Sequence, residues 1–415
     1  MKILLITSFF PSLDRHESDG IGLAKSKFLY YYAAEWLKMG CEVLVIHCAP
    51  KYPRIFSKMV YFIEKQLRFD KLQLCNYYQK EMTIQSCAYN YKGVKIIRIP
   101  IEKYIPHRDF LLGSIKQLKK STLAIIEQLD FHADFIISDF LTPASYLASE
   151  IRGEKKIPFY QILHLTDFNY LKKYVRLRRL LSRADGILHR STHLSSEFKK
   201  HGLKAKFEDY IFSGVPEFEN NGSARTTIQK FLFVGSLTPW KNVHILLKAF
   251  STTKYRKKYH LDIVGDGSYE TYLKLMTVDL GLKEQVHFHG RMPRTEVFRK
   301  MREADCFVMV SKGETFGMVY VEALSQGCIV IASRDSCGKS IIAQGKNGFL
   351  VDCNNIKELS NLFDHLHTLQ PETVIQLSIN AMKSTQDMTE SHLAKKLLDK
   401  LTKHSKQIKQ GHFHR

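Results

Sequence analysis

The chain is 415 residues long, 44% hydrophobic and 25% charged, with a formal net charge of +21. That length exceeds one ordinary hydrophobic core and predicts two domains of about 200 residues each. The composition is that of a globular protein, no run of about 18 uncharged apolar residues offers a spanning helix, and the eight cysteines include no Cys-x-x-Cys pair, which argues against structural zinc and for a reducing cytoplasm.

Residues 2–7 read as a strand, and as an apolar run they are too short for a signal peptide. A helix is expected at 24–39, strands at 42–48 and 94–100, and a helix near 113–129. Strands at 134–138, 158–163 and 185–189 complete the first series. Strands alternating with helices at this spacing predict parallel pairing through crossover helices. The polar, small-residue stretch 217–227 predicts a linker. The pattern then restarts, with strands at 230–234, 260–264, 285–288, 305–310, 329–332 and 349–351 and helices at 242–250, 269–280 and 318–326. Helical patterns at 354–368, 371–385 and 389–408 close the chain. The expected fold is α/β, with two Rossmann-like doubly wound domains facing across a cleft. Open sheets of this kind bind ligands outside the carboxyl ends of their strands.

The positive charge suits nucleic acid, an anionic membrane surface or phosphorylated substrates. Residues 51–100 hold 10 Lys/Arg against 3 Asp/Glu, and residues 151–200 hold 12 against 4. The stretch 52–69 interleaves basic and aromatic residues and fits an interfacial helix as well as a solvated surface one. No helix-turn-helix, RNA-binding aromatic signature or finger spacing is present, so no nucleic-acid partner is expected.

Several polar groups fall at predicted strand ends. Two carboxylates, Glu314 and Glu322, stand eight positions apart around a Phe-Gly pair that reads as a strand-to-helix turn. Glu322 sits one turn into a mostly apolar helix, where an unpartnered carboxylate is costly. Gly235, Ser236 and Lys241 follow a strand and open a helix, a place where a lysine and a helix N-terminus can neutralise phosphate, although an ordinary surface lysine would look the same. Gly265 lies in a Gly-Asp-Gly turn. Gly20 and Gly22 follow the first strand without forming a dinucleotide fingerprint. His287 and His289, ahead of Arg291, alternate about Phe288 and lack a third metal ligand. His164 closes another strand and is placed either to meet a sugar hydroxyl and move a proton or to serve structure alone.

In this order the set resembles the retaining family 4 glycosyltransferases of GT-B fold (glycosyl transferases group 1), most strongly over residues 231–351. The resemblance implies an N-terminal acceptor domain, 1–218, a nucleotide-sugar domain, 219–388, and a C-terminal helix, 389–415, packing back on the first domain. It implies that Lys241 binds the donor diphosphate and that Glu322 holds the ribose hydroxyls. Glu314 would lie near the transferred sugar, with His164 facing the reacting centre, so that Glu314, His164 and Lys241 form the catalytic set. Donor contacts are expected from Gly20, Gly22, Gly235, Ser236, Gly265, Arg291, Phe316, Gly317, Met318 and Val319. Ser236 departs from the pattern, for the family usually carries an arginine there, and an Arg is a strong bidentate phosphate ligand.

The implied enzyme is a metal-independent hexosyltransferase with no cofactor, since no Asp-x-Asp pair occurs. It would take a nucleotide-sugar donor, with UDP favoured, and a glycan or lipid-linked acceptor for bacterial envelope polysaccharide. It would sit in the cytoplasm, on the inner face of the plasma membrane if the basic surface docks there. The alternatives are a nucleotide-sugar epimerase of similar shape and a non-catalytic glycan- or membrane-binding homologue.

Overall fold

The structure, a computed structural model, describes residues 1–8, 10, 27–51, 85–104, 109–217 and 222–411. In chain order the strands of the first sheet are β1 (Lys2–Thr7), β2 (Glu42–Lys51), β3 (Cys87–Tyr91), β4 (Val94–Glu102), β5 (Phe135–Asp139), β6 (Phe159–Leu163), β7 (Gly186–His189) and β8 (Glu208–Tyr210). They lie in the order β3-β4-β2-β1-β5-β6-β7-β8, parallel except where β3 meets β4. Leu4 pairs with Leu44 on one side and Ile136 on the other. These strands are nearly continuous apolar runs because helices cover both faces of a parallel sheet.

Two strands lay outside the expectation. β3 is a short edge strand whose residues alternate between half-buried and exposed. Its hairpin turns through Lys92 and Gly93, both at positive φ, and Gly93 N donates to Asn90 Oδ1 at 2.8 Å. Backbone twist favours such a turn even without the usual Asn-Gly pair. β8 has three residues and no periodicity to detect.

The second sheet comprises β9 (Lys230–Val234), β10 (His260–Val264), β11 (Val286–Gly290), β12 (Cys306–Met309), β13 (Ile329–Ser333) and β14 (Gly348–Val351). All pair in parallel, in the order β11-β10-β9-β12-β13-β14. Behind it, Phe231, Phe250, Tyr259 and Phe363 meet edge to face, with Phe231 centroids 5.7, 4.9 and 5.1 Å from the other three. Tyr259 keeps its hydroxyl satisfied by donating to Phe363 O at 2.7 Å. Each buried ring contributes about 1.5–3 kcal/mol of apolar burial.

The chain divides into two compact units. One comprises Met1–His189, Phe198–Ile211 and Ala394–Arg415; the other comprises Arg190–Glu197 and Phe212–Leu393. Within the first, the buried Trp36 donates its indole N–H to Ala394 O at 2.9 Å. Tyr160 meets His404 Nδ1 at 2.8 Å and Ser405 Oγ at 2.9 Å, which fastens the C-terminal helix Glu390–Lys409 over this core.

The stretch expected as a linker, 217–227, lies partly outside the described residues. Its described end is no loose spacer, because Arg225 is buried in the second unit and donates to Ala304 O, Met301 O and Gln326 O at 2.7–3.0 Å. Carbonyl acceptors of this kind do not announce themselves in a sequence. Among the described residues no helix is long and apolar enough to cross a membrane.

Candidate active site

In the second sheet β9 and β12 are neighbours, and the crossovers that follow them leave in opposite directions, β9 toward β10 and β12 toward β13. Such a switch point opens a crevice at the carboxyl ends of the strands. The loop after β9 carries Lys241 and the loop after β12 carries Glu314. Lys241 is only 9% exposed, and its ammonium lies 2.5 Å from Glu314 Oε2, 3.6 Å from Met309 Sδ and 4.4 Å from the Trp240 ring centroid.

Local backbone chemistry places it there. Pro239–Lys241 forms a single 3₁₀ turn. Asn242 follows at φ 56°, and its Nδ2 donates to Val310 O at 3.0 Å and Cys353 O at 2.9 Å, pinning the start of helix Val243–Thr252 to the second sheet. Gly265 holds φ +134°, and a Cβ on it would collide with the Gly235 carbonyl, so the tips of β9 and β10 pack backbone on backbone.

The turn after β12 ends at Gly317, with φ 72° and ψ 58°, directly ahead of helix Met318–Ser325. A Cβ at Gly317 would strike the Tyr320 ring, and that ring is held by its hydroxyl, which donates to Met309 O at 2.7 Å. The first amides of helix Met318–Ser325 therefore emerge next to the Lys241–Glu314 pair, where a helix N-terminus presents partial positive charge. Cys337 is buried in the same neighbourhood. Burial pushes its thiol pKa well up; the Glu314 charge adds to this, while Lys241 and Arg190 pull it down.

Glu322 is 8% exposed and is not left alone. Arg294, at the start of helix Arg294–Glu303, reaches its Oε1 with Nε at 2.9 Å and Nη2 at 2.8 Å, and its Nη1 meets Glu390 Oε1 at 3.2 Å. Arg291, expected as a donor contact, stands exposed in the preceding loop. Arg294 went unrecognised, although it opens a helix just past a strand end, the same signal that marked Lys241. Ser236 is exposed and Met318 and Val319 are half-buried. Phe316 is buried under the Arg190 guanidinium, whose Cζ is 5.3 Å from the ring centroid. Gly20 and Gly22 lie outside the described residues.

His164 belongs to the first unit, at the end of β6. Its Nε2 is 2.7 Å from Asp139 Oδ1, and its ring stacks on Phe140 at 3.9 Å and 8°. Asp139 also accepts from Thr7 Oγ1 at 3.1 Å, so the ends of β1, β5 and β6 converge on one carboxylate. Asp167 accepts the backbone N–H groups of His164 at 2.8 Å and Leu141 at 3.2 Å. Burial raises its pKa to about 6, against the opposing pull of His164 and those amides. Neither aspartate was singled out from sequence, because a lone Asp at a strand end, as Asp139, or at a helix start, as Asp167, is common.

Among the described residues, His287 and His289 join no cluster of metal-ligating side chains. His289 Nε2 lies 2.7 Å from Asp262 Oδ1, and Lys300 donates to Asp262 Oδ2 at 2.8 Å. Burial alone would raise the Asp262 pKa, but these two partners outweigh it and hold it low. A fixed ammonium beside the imidazole repels a cation.

Residues 216–384 match the family model of glycosyl transferases group 1. The chain is 25% identical over 399 residues to the putative teichuronic acid biosynthesis glycosyltransferase TuaC of Bacillus subtilis, covering 91% of this chain and 92% of that one. It is 25% identical to the alpha-monoglucosyldiacylglycerol synthase of Streptococcus pneumoniae over 74% of this chain and 71% of the other. Among solved structures, Anabaena HepE in complex with UDP and glucose superposes with a TM-score of 0.67 at 18% identity, covering 97% of this chain and all of HepE. That likeness shows the fold: two parallel-rich α/β sheets of GT-B type.

Proposed function

Given that the chain belongs to the glycosyl transferases group 1 family, and so is a glycosyltransferase using a nucleotide-sugar, we propose that it is a retaining hexosyltransferase taking a UDP-sugar. Its acceptor would be a glycan or a lipid-linked glycan of the bacterial envelope, reached from the cytoplasmic face of the membrane, and no metal would be needed. The observation that carries this reading is the Lys241–Glu314 pair beside the N-terminus of helix Met318–Ser325.

Breaking a sugar–phosphate bond sends an electron pair to the departing diphosphate. A fixed ammonium and helix amides stabilise that growing charge and need no reorganisation. Glu314 orients the Lys241 ammonium, and Glu322, anchored by Arg294, is poised to accept from ribose hydroxyls. The acceptor oxygen attacks the anomeric carbon on the face the phosphate leaves, and its proton passes to the leaving phosphate oxygen, so configuration is kept. His164, set by Asp139, would meet the sugar or the acceptor.

Support for UDP comes from HepE, solved with UDP and glucose. Support for an envelope acceptor comes from the names of the teichuronic acid and diacylglycerol relatives. A thermal-shift panel of UDP, GDP and ADP tests the donor, because a nucleotide at a hundred times its Kd stabilises the folded state by about 2.7 kcal/mol. Turnover of UDP-sugars in the presence of EDTA, with the product anomer assigned by NMR, tests the chemistry. Stabilisation by GDP or ADP alone, or an inverted product, sinks the corresponding part of the reading.

A further inference from the structure

We propose that one surface of the first unit, carrying Leu111, Leu112 and Val175 among lysines and arginines, docks on an anionic lipid bilayer. This rests on the reading that the acceptor is membrane-borne, and it assigns the residues that bring the enzyme to it.

The apolar side chains come first. Val175 is 67% exposed, the highest value among the large hydrophobic side chains of the described residues, and Leu111 and Leu112 are 57% and 59% exposed. Single exposed aliphatics are ordinary, but a group of them rimmed by polar residues marks an interaction surface. The fold brings the two segments together. Leu111 and Leu112 follow Asp109, and Val175 precedes Arg176. Arg176 Nη2 donates to Asp109 Oδ2 at 2.6 Å, and the Tyr146 hydroxyl donates to the same oxygen at 3.1 Å.

The charge around them has one sign. Residues 168–183 hold six Lys/Arg and no Asp/Glu. They span two short helices, Asp167–Lys173 and Val175–Leu181, which bury Phe168, Leu171, Leu177, Leu180 and Leu181. That leaves Lys172, Lys173, Arg176, Arg178, Arg179 and Arg183 exposed on the outer side, and residues 110–120 add Lys116 and Lys120, also exposed. Between the two helices Tyr174 is half-buried, with Lys173 Nζ 5.6 Å and Arg176 Cζ 5.7 Å from its ring centroid. A tyrosine in such a place suits the headgroup level of a bilayer.

Aliphatic tips enter the acyl boundary while long cationic side chains reach the lipid phosphates. The exposed stripe Tyr272, Leu275 and Val278 on helix Glu270–Asp279 supplies the contrast. Residues 268–283 hold two basic and two acidic residues, and Lys274 meets Glu270 at 2.7 Å, so that stripe has no attracting field around it. The location also suits an acceptor drawn from a membrane. Asp167 accepts the His164 N–H and opens the first of the two helices. That helix is about 10 Å long, so a bilayer on this surface lies one short helix from the strand end that carries His164.

The test is flotation of the full chain with vesicles of phosphatidylcholine alone and of equimolar phosphatidylcholine and phosphatidylglycerol. The wild type floats with the anionic vesicles, much less with the neutral ones, and less as salt rises. Lys172→Gln combined with Arg179→Gln weakens anionic-vesicle binding about 25-fold, roughly fivefold for each charge. Val175→Asp and Leu112→Asp each weaken it about tenfold, through lost apolar insertion and added negative charge. Leu112→Asp sets an acid at a helix N-terminus, which favours folding, so its loss of binding is not a loss of structure. Leu275→Asp, on the contrasting stripe, binds like the wild type. The inference is overturned if the wild type ignores anionic vesicles, if Leu275→Asp weakens binding as much as Val175→Asp, or if only the charge variants weaken it, since the overall charge then adsorbs the protein without this surface. A dimer that Val175→Asp dissolves, in a wild type that leaves vesicles alone, assigns the face to a second copy and equally overturns it. The thermal shift by UDP reads the underlying function separately and is unchanged in Val175→Asp and Leu112→Asp. Its absence in a wild type that binds vesicles removes the donor reading and leaves this surface, whereas its presence in a protein that ignores vesicles removes only this surface.

Discussion

Lys241 and Glu314 come from loops that follow adjacent parallel strands, and their charged ends stand 2.5 Å apart with both side chains largely withdrawn from solvent. Withdrawal strengthens the attraction between them and also makes either group costly to leave alone. Lys241→Ala is expected to lower kcat/KM by about 100-fold, the scale for loss of one preorganised cation, while Glu314→Gln lowers kcat with a smaller change in donor affinity. Steady-state kinetics with the accepted donor check both. Wild-type values in Lys241→Ala would remove the pair from the mechanism.

The Arg294–Glu322 contact carries a separate expectation. Glu322→Ala removes the carboxylate poised for the ribose and should weaken UDP by about tenfold or more, roughly 1.4 kcal/mol. Arg294→Ala leaves a mostly buried carboxylate without its guanidinium and should cost about 1–3 kcal/mol of stability, the scale for an orphaned buried group. Urea denaturation with and without UDP separates the two effects, and equal stability in Arg294→Ala would show that the pair is energetically silent.

Gly317 is held at φ 72° with no room for a Cβ. Gly317→Ala should therefore destabilise the second unit by about 1–3 kcal/mol through backbone strain and displacement of Tyr320, and should abolish donor binding even in the fraction that folds. A melting curve unaffected by this substitution would contradict the tight turn.

The pKa of Asp167 is raised to about 6 by burial. The folded state therefore holds this proton more tightly than the unfolded chain. The stabilisation is complete below the ordinary carboxylate pKa of about 4 and is lost as pH rises through about 6. The full effect is on the order of 3 kcal/mol for a shift of about two units. Asp167→Asn, which cannot ionise, should flatten the fall in stability between pH 4 and pH 7, as followed by denaturant titration at a series of pH values. An identical slope in both proteins would mean that Asp167 does not titrate there.

Trp36→Phe removes the indole donor to Ala394 O and should cost about 1 kcal/mol, the scale for one net hydrogen bond. Hydrogen exchange should quicken in the C-terminal helix Glu390–Lys409 more than elsewhere. Uniform protection in the variant would argue that the helix is held by other contacts.

Much of this was legible in the chain alone. The strands of the second unit begin and end within two residues of expectation, because buried parallel strands are short apolar runs closed by turn residues. Lys241, Glu314 and Glu322 could be chosen because strand ends are where doubly wound sheets expose functional groups. The edge strand β3 escaped because its five residues alternate with a polar turn and resemble a loop.

Partners are a different matter. That Glu322 meets Arg294, that Arg190 lies on Phe316, and that Asp139 receives both Thr7 and His164 depend on which strands become neighbours. The sequence by itself determined the α/β class, most of the strand ends and the charged residues that gather at them, since periodicity and turn chemistry act over a few residues. Only the tertiary structure decided which charge answers which, because residues tens to more than a hundred positions apart come together through sheet order, and local pattern does not encode that order.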